Sequence, residues 1–198
     1  MKEYAVNEIF YSLQGEGYYT GTAAIFIRFA ACNLRCPFCD TDFSRGSRMS
    51  ADAIVKACDE LTRNKPLIVL TGGEPTLQVD YHLCQALHEA GYKTIAMETN
   101  GTNPIPAGVD FVTCSPKCDF VKEYPTIPEA DEVKIVYDGQ HNPAKWLQTI
   151  KANHYYLQPC DTGDPEKNRE ILNACINYIK FYPAWRLSLQ TQKITNIR

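Results

Sequence analysis

Cys32-Asn33-Leu34-Arg35-Cys36-Pro37-Phe38-Cys39 places three thiols at gaps of three and two residues, immediately after the apolar run Ala23 to Ala30. Three thiolates so spaced can hold three irons of a 4Fe–4S cluster, which normally takes four cysteines. The fourth iron is then left open to a substrate or cofactor, as a catalytic zinc keeps one position open. A structural zinc knuckle, a disulfide loop and chance spacing are the competing readings. Zinc asks for a second close ligand pair, and neither flank offers a CxxC or HxxxH partner, although Cys114 and Cys118 could contribute. Working outward, the apolar run reads as a buried strand, so the cysteine loop sits at a strand's carboxyl end.

The rest of the chain alternates strand and helix. Ser50 reads as the N-cap of a helix to about Asn64, with Ile54, Val55, Cys58 and Leu61 inward. Leu67 to Thr71 is the next strand, ended by Gly72-Gly73. A helix from Leu77 to Ala90 follows, then strands Lys93 to Glu98, Val109 to Thr113 and Glu132 to Tyr137. Helix Asn142 to Lys151, strand His154 to Gln158, helix Pro165 to Tyr182 and an extended run Trp185 to Gln190 complete the pattern, with 119–131 unplaced. Such alternation predicts an α/β fold of mostly parallel strands, with ligands at the strands' carboxyl ends. At 198 residues the chain fits one domain over 1–198 but falls short of a complete eight-stranded barrel, which typically takes about 250. The expectation is a truncated, partial (β/α) barrel.

Composition narrows the setting. A formal net charge of -3, without a basic run, gives no nucleic-acid footprint. Nine cysteines, an odd number, with no apolar signal region and no long apolar span, predict a reducing cytoplasm and no membrane. Cys58, Cys84 and Cys175 fall on predicted helices as small buried hydrophobes.

The cysteine triad, followed by Gly72-Gly73-Glu74-Pro75 after an apolar strand, resembles the radical S-adenosylmethionine (SAM) superfamily. That resemblance implies that Cys32, Cys36 and Cys39 hold the cluster and that SAM chelates the open iron. SAM is then cleaved to a 5′-deoxyadenosyl radical. Glycines at 72 and 73 suit close backbone approach. Further elements are Ser12-Leu13-Gln14-Gly15-Glu16-Gly17, Arg28, Thr99-Asn100-Gly101-Thr102, Ser115-Pro116-Lys117, Leu157-Gln158-Pro159 and Arg186-Leu187-Ser188-Leu189-Gln190-Thr191. Together they resemble the 7-carboxy-7-deazaguanine synthases of queuosine and deazapurine biosynthesis. Glycyl-radical-enzyme activases share the cysteine spacing and size but not the first and last of these elements.

What this narrower resemblance implies is a carbon–nitrogen lyase. Its substrate would be the small pterin 6-carboxy-5,6,7,8-tetrahydropterin, contracted to 7-carboxy-7-deazaguanine with loss of ammonia and regeneration of SAM. Leu13, Gln14, Gly15, Arg28, Thr71 and the terminal carboxylate of Arg198 are the implied substrate contacts, Arg28 facing the carboxylate. The SAM envelope is Phe38, Cys39, Asp40, Gly73, Ser115, Pro116, Lys117, Gln158, Pro159, Cys160 and Asp161. Thr41 is the implied ligand of Mg²⁺, which bridges to the substrate carboxylate; by its residues alone Asp40-Thr41-Asp42 is a turn or helix cap. A flavodoxin-type electron donor and a homodimer are further implications. One departure stands out: the family commonly has QTHK where this chain has Gln190-Thr191-Gln192-Lys193, and glutamine can donate and accept but cannot titrate. The noncatalytic alternative is an Fe–S protein that uses the scaffold to bind a partner.

Overall fold

A computed structural model describes residues 2–39 and 41–198. Its strands are β1 (Glu3–Leu13), β2 (Ala23–Phe29), β3 (Ser47–Ser50), β4 (Leu67–Gly72), β5 (Ile95–Thr99), β6 (Phe111–Cys114), β7 (Glu132–Tyr137), β8 (His154–Pro159) and β9 (Arg186–Leu187). The helices are α1 (Ala51–Leu61), α2 (Tyr81–Glu89), α3 (Trp146–Thr149), α4 (Pro165–Phe181) and α5 (Thr191–Thr195). All nine strands form one sheet in the order β3-β1-β2-β4-β5-β6-β7-β8-β9. From β2 to β9 every pairing is parallel, whereas β1 runs antiparallel to both β2 and β3. β9 and β3 are the two ends of this order, so the sheet is an open, truncated barrel.

Alternation along each strand makes two faces with different chemistry. Ile25, Ile27 and Phe29 of β2, Ile68 and Leu70 of β4, and Ile95 and Met97 of β5 pack in one core with Ile54 and Cys58 of α1 and Leu83, Cys84 and Leu87 of α2. Val133 and Ile135 of β7 and Leu157 of β8 pack with Trp146 of α3 and Ile171 and Cys175 of α4 in a second. The opposite face carries Ala24, Leu67, Val69, Ala96 and Phe111, a smaller apolar layer with Tyr19 and Phe26 against it. One step of two residues nearer the carboxyl ends, that inner face turns polar, Phe26 giving way to Arg28, Val69 to Thr71 and Ala96 to Glu98, with the buried Glu132 and Lys134 continuing the polar layer on β7. The site is built on this polar layer.

Several elements differ from the sequence reading. β1 and β3 were not expected, and a bulge between Val6 and Glu8 is the reason β1 escapes a period-two reading. The bulge reverses the strand's phase, so Tyr4 and Val6 join the outer core while Glu8 pairs with Arg28 on the inner face. The helix from Leu77 splits into a 3-10 turn at Pro75–Leu77 and α2, because Asp80 intervenes as a cap that accepts from the Leu83 N–H. The expected helix Asn142 to Lys151 shrinks to a 3-10 turn and the four residues of α3. Lys151 is drawn off instead into backbone bonds with Pro128 and Ala130. Leu61 is exposed rather than inward, since the chain turns extended at Thr62 directly after it. The segment 119–131 runs from the loop after β5 back to the start of β6: Thr126 N–H donates to Gly101 O at 2.7 Å, and Asp131 accepts from Val112 N–H at 2.8 Å.

Candidate active site

The cysteine loop leaves β2 through Ala31, whose φ of 70° is unusual for a residue with a Cβ. Ala31 N–H donates to Phe43 O at 3.0 Å and closes the loop's base; inside it, Cys39 N–H donates to Cys36 O at 3.2 Å. Burial raises the Cys32 and Cys36 thiols above their ordinary range, with Lys117 pulling both the other way. Gly73 lies flat against this loop: a Cβ there would stand 1.8 Å from Ala31 O. Gly72, at φ 125°, would put a Cβ 2.2 Å from Phe29 O. The two glycines therefore seat β4's end on the base of the cysteine loop.

Glu74 completes that joint. Its carboxylate is 1% exposed and accepts from Thr76 N–H (3.1 Å), Thr76 Oγ1 (2.6 Å) and Thr99 Oγ1 (2.7 Å) at one oxygen, and from Asn100 N–H (2.7 Å) at the other. Asn100 Nδ2 donates in turn to Asn33 Oδ1 at 3.0 Å, and Asn33 Nδ2 to Thr102 Oγ1 at 2.8 Å. One buried carboxylate thus ties the ends of β4 and β5 together, and Asn100 ties both to the cysteine loop.

The polar layer opens on a cleft of about 880 Å³ at the carboxyl ends of the parallel strands. On one side Glu8 holds two guanidiniums: Arg28 Nε donates to Oε1 at 2.8 Å, and Arg198 pairs with Oε2. Arg28 Nη1 also reaches Thr41 Oγ1 at 3.5 Å. On the other side Lys134 lies between Glu16 (2.7 Å) and Glu98 (2.9 Å), and Gln14 Nε2 donates to Glu98 at 3.2 Å. Burial would raise the Glu16 carboxyl, but Lys134 and donors on Gln192 and Gln190 overcome it and hold it down at about 2. Ser115 and Lys117 complete the rim; burial lowers the Lys117 ammonium, and Lys134 adds to the effect.

These residues fit the groups a 4Fe–4S and SAM site requires. The three thiols line the cleft from one loop. Among the described residues no three thiols, imidazoles or carboxylates converge as the ligands of a single metal ion would. A four-iron cube asks instead for one thiolate on each of three irons. Lys117 is a half-buried cation near Cys36 that, among the described residues, pairs with no carboxylate and donates to Ser115 Oγ. Such a group suits an anionic partner in the cleft.

Nearly every predicted residue lines this cleft: Leu13, Gln14, Gly15, Arg28, Thr71 and Arg198; Phe38, Cys39, Gly73, Ser115, Lys117, Gln158, Pro159, Cys160 and Asp161; and Cys32, Cys36 and Thr41. Pro116 does not; it is buried between Ser115 and Lys117 and points elsewhere. Asp40 lies outside the described residues. Arg198 meets the site through its side chain, which the sequence reading overlooked, with its guanidinium 4.9 Å from the Phe10 ring centroid and its main-chain oxygen accepting from Ser12 Oγ at 2.7 Å. Gly15 has its carbonyl taken by Thr191 N–H and Oγ1 at 3.1 and 2.8 Å. Cys114 is fully buried and packs in the second apolar core. Glu8, Glu98 and Lys134 were missed. For Glu98 and Lys134 the signal was a charge within a short apolar strand, as in Val133-Lys134-Ile135-Val136; Glu8, beyond the bulge in β1, gave none.

Comparison with known proteins agrees with this geometry. The model of the radical SAM superfamily matches residues 26–154, so the site is that of a radical SAM enzyme, using a 4Fe–4S cluster and SAM. A 7-carboxy-7-deazaguanine synthase from Bacteroides thetaiotaomicron is 47% identical over 98% of each chain, and one from Haemophilus influenzae is 39% identical over 96% of this chain and 92% of its own. A crystal structure of QueE from Escherichia coli superposes with a TM-score of 0.75 at 26% identity, covering 94% of this chain and 93% of that one. Within the superfamily, the chain belongs to the 7-carboxy-7-deazaguanine synthase family.

Proposed function

We propose that the cleft converts 6-carboxy-5,6,7,8-tetrahydropterin to 7-carboxy-7-deazaguanine with loss of ammonia. The observation that carries this is the division of the cleft into a cationic end and a mixed donor/acceptor end, matching a substrate with a carboxylate at one end and a guanine-like edge at the other. Arg28 and Arg198 both pair with one carboxylate, Glu8, so that end gathers two guanidiniums as donors for an incoming carboxylate. Gln14 and Glu98 present an amide and an anion to the other edge, where 2-amino and ring N–H groups need acceptors. When bound, the cluster and SAM supply the radical that abstracts hydrogen from the substrate. The chain's own task is to seat both cofactors beside Lys117, Ser115 and Gln158 and to fix the substrate under them.

Mg²⁺ belongs to the same proposal, at Thr41. The chain offers it one hydroxyl beside the Arg28 guanidinium, while Asp42 Oδ1 is already engaged by Ser44 N–H and Oγ. Such a site is complete only when the substrate carboxylate and waters supply the remaining oxygens, which is how Mg²⁺ is commonly held. A single catalytic domain over 1–198, a homodimer, a flavodoxin-type donor and a reducing cytoplasm complete the reading. Nine cysteines free of disulfides support the last of these, and among the described residues no helix is long and apolar enough to cross a membrane. The test is anaerobic incubation of the reconstituted protein with SAM, reductant, Mg²⁺ and the carboxypterin, followed by mass analysis. Formation of the deazaguanine acid with release of ammonia is expected; SAM cleavage without that product would overturn the assignment.

A further inference from the structure

Lys134 has a side chain only 6% exposed and sits on the inner face of β7 between two carboxylates from distant parts of the chain. Its Nζ is 2.7 Å from Glu16 Oε2, in the loop after β1, and 2.9 Å from Glu98 Oε2, near the end of β5. The backbone under it is pinned as well, since Lys134 O accepts from Ser115 Oγ at 2.7 Å. Both carboxylates open on the cleft, but they are not equally engaged. Glu16 Oε1 already accepts from Gln190 (3.1 Å) and Gln192 (3.0 Å), whereas Glu98 Oε1 accepts from Gln14 alone, at 3.2 Å.

We propose that Lys134 is a positioning residue for the reaction: it holds Glu16 and Glu98 as a pair of anions on the cleft floor, leaving Glu98 Oε1 as the acceptor for a ligand edge rich in N–H donors. The inference rests on the function proposed above and adds to it the residue that fixes the recognising carboxylate. The charges facing this pair are few. Glu132 lies two residues before Lys134, buried, with Oε2 accepting from Tyr18 N–H at 2.7 Å and Oε1 without a partner. Lys117, on the loop after β6, supplies the second nearby cation. Three carboxylates therefore surround one central ammonium. Without that ammonium, Glu16 and Glu98 would stand as like charges in one site, and one of them would take up a proton. A protonated carboxyl turns from acceptor to donor on one oxygen, and a ligand N–H opposite it is left mispaired.

The test is Lys134→Met, with Lys134→Arg as the conservative variant. In Lys134→Met, KM for the carboxypterin should rise at least tenfold at pH 7 with a smaller change in kcat, and iron content should stay at the wild-type level. That KM defect should shrink as pH rises from 6 to 9, because alkali ionises the carboxyl that the lost cation no longer holds charged. Lys134→Arg should restore KM to within a few-fold of wild type. A carbon-13 NMR titration of labelled glutamate carboxyls, made without substrate, should show both Glu16 and Glu98 ionised at neutral pH in the wild type and one of them protonated in Lys134→Met. If Lys134→Met does not fold, Lys134→Met/Glu98→Gln removes cation and anion together, a change buried ion pairs tolerate better than loss of one partner. It should fold and keep the raised KM, now independent of pH. A wild-type KM in either methionine variant, or two ionised carboxylates in Lys134→Met, would overturn the proposal. A wild-type protein that turns over no carboxypterin would overturn the function instead, while the titration would still decide the role of Lys134.

Discussion

Glu74→Gln is the most discriminating change the site offers, because it removes a charge and one acceptor while keeping nearly the same shape. The amide has one oxygen for two acceptor positions. Its better orientation puts that oxygen where Thr76 N–H, Thr76 Oγ1 and Thr99 Oγ1 converge and turns the NH₂ group toward Asn100 N–H, which sits 2.7 Å from the present Oε2. One charge-assisted bond is then replaced by a buried donor facing a donor. An unsatisfied buried donor costs about 1–3 kcal/mol, and the bonds that survive lose their charge assistance, so a destabilisation of about 2–4 kcal/mol is expected. For a chain of this length that lowers Tm by about 5–12 °C. The assay is anaerobic thermal unfolding of the full chain, before and after cluster reconstitution, with iron retention measured alongside, since Asn100 also holds Asn33 in the cysteine loop. An unchanged Tm in the absence of SAM, with a difference that emerges only when SAM is added, would refute this reasoning and make Glu74 a cofactor ligand.

Three further outcomes follow from the same geometry. Cys36→Ala should lose stable cluster iron and all SAM cleavage, because the loop brings only three thiols to the cleft; normal iron content with normal cleavage would exclude the cluster assignment. Thr41→Ala should slow turnover and abolish its response to Mg²⁺ while iron content stays normal, and a chelated wild type indifferent to added Mg²⁺ would remove the metal from the proposal. Burial raises the Glu132 carboxyl from an ordinary 4.5 to about 7 against the pull of Lys134, so its contribution to stability is complete below pH 4.5 and is lost, on the order of 3 kcal/mol, as pH rises to about 7. Glu16, held down at about 2, loses its own contribution only between pH 4.5 and 2, so denaturant unfolding of Glu132→Gln should lack the wild-type slope between pH 4.5 and 7; equal slopes would show that Glu132 does not carry it.

The parts of this fold that local chemistry determines were legible in the sequence. Cys32, Cys36 and Cys39 follow directly on an apolar run and their close spacing puts them in one short segment, and the apolar runs Ala23 to Ala30 and Leu67 to Thr71 read as buried strands, as β2 and β4 are. What escaped depended on partners far along the chain. Glu8 enters the cleft only because a bulge at Asn7 reverses the phase of β1, and no count of alternation across that point would find it. Glu98 and Lys134 were visible as charges in buried strands, but their pairing is fixed by the order of β5, β6 and β7 in the sheet. The helix from Asn142 failed for a similar reason: Pro128 and Ala130 claim Lys151, and tertiary bonding overrides the local pattern.

The glycines of Ser12-Leu13-Gln14-Gly15-Glu16-Gly17 show why an incomplete barrel can still hold a shaped interior. A closed barrel fills its interior with layers of side chains from all its strands. Here the sheet stays open, and the loop after β1 folds into the space instead, bringing Glu16 to Lys134 and leaving Gln14 at the cleft. Any side chain at its two tightest points would displace Gln192 or Glu132. A Cβ at Gly15 would lie 1.9 Å from Gln192 Oε1, and one at Gly17, where φ is 65°, would lie 2.2 Å from Glu132 Oε1. Gly17 N–H donates to Ser188 Oγ at 3.0 Å, and Ser188 Oγ donates to Gln158 Oε1 at 3.0 Å, so the loop also fastens β8 to the segment after β9. Below it, Tyr18 stacks on His154 and Phe111 at centroid distances of 4.5 and 5.4 Å and covers the end of the sheet opposite the cleft. The motif near the start of the chain and Gln192 near its finish are thus two sides of one contact, and the carboxylate they share, Glu16, is the one that Lys134 holds.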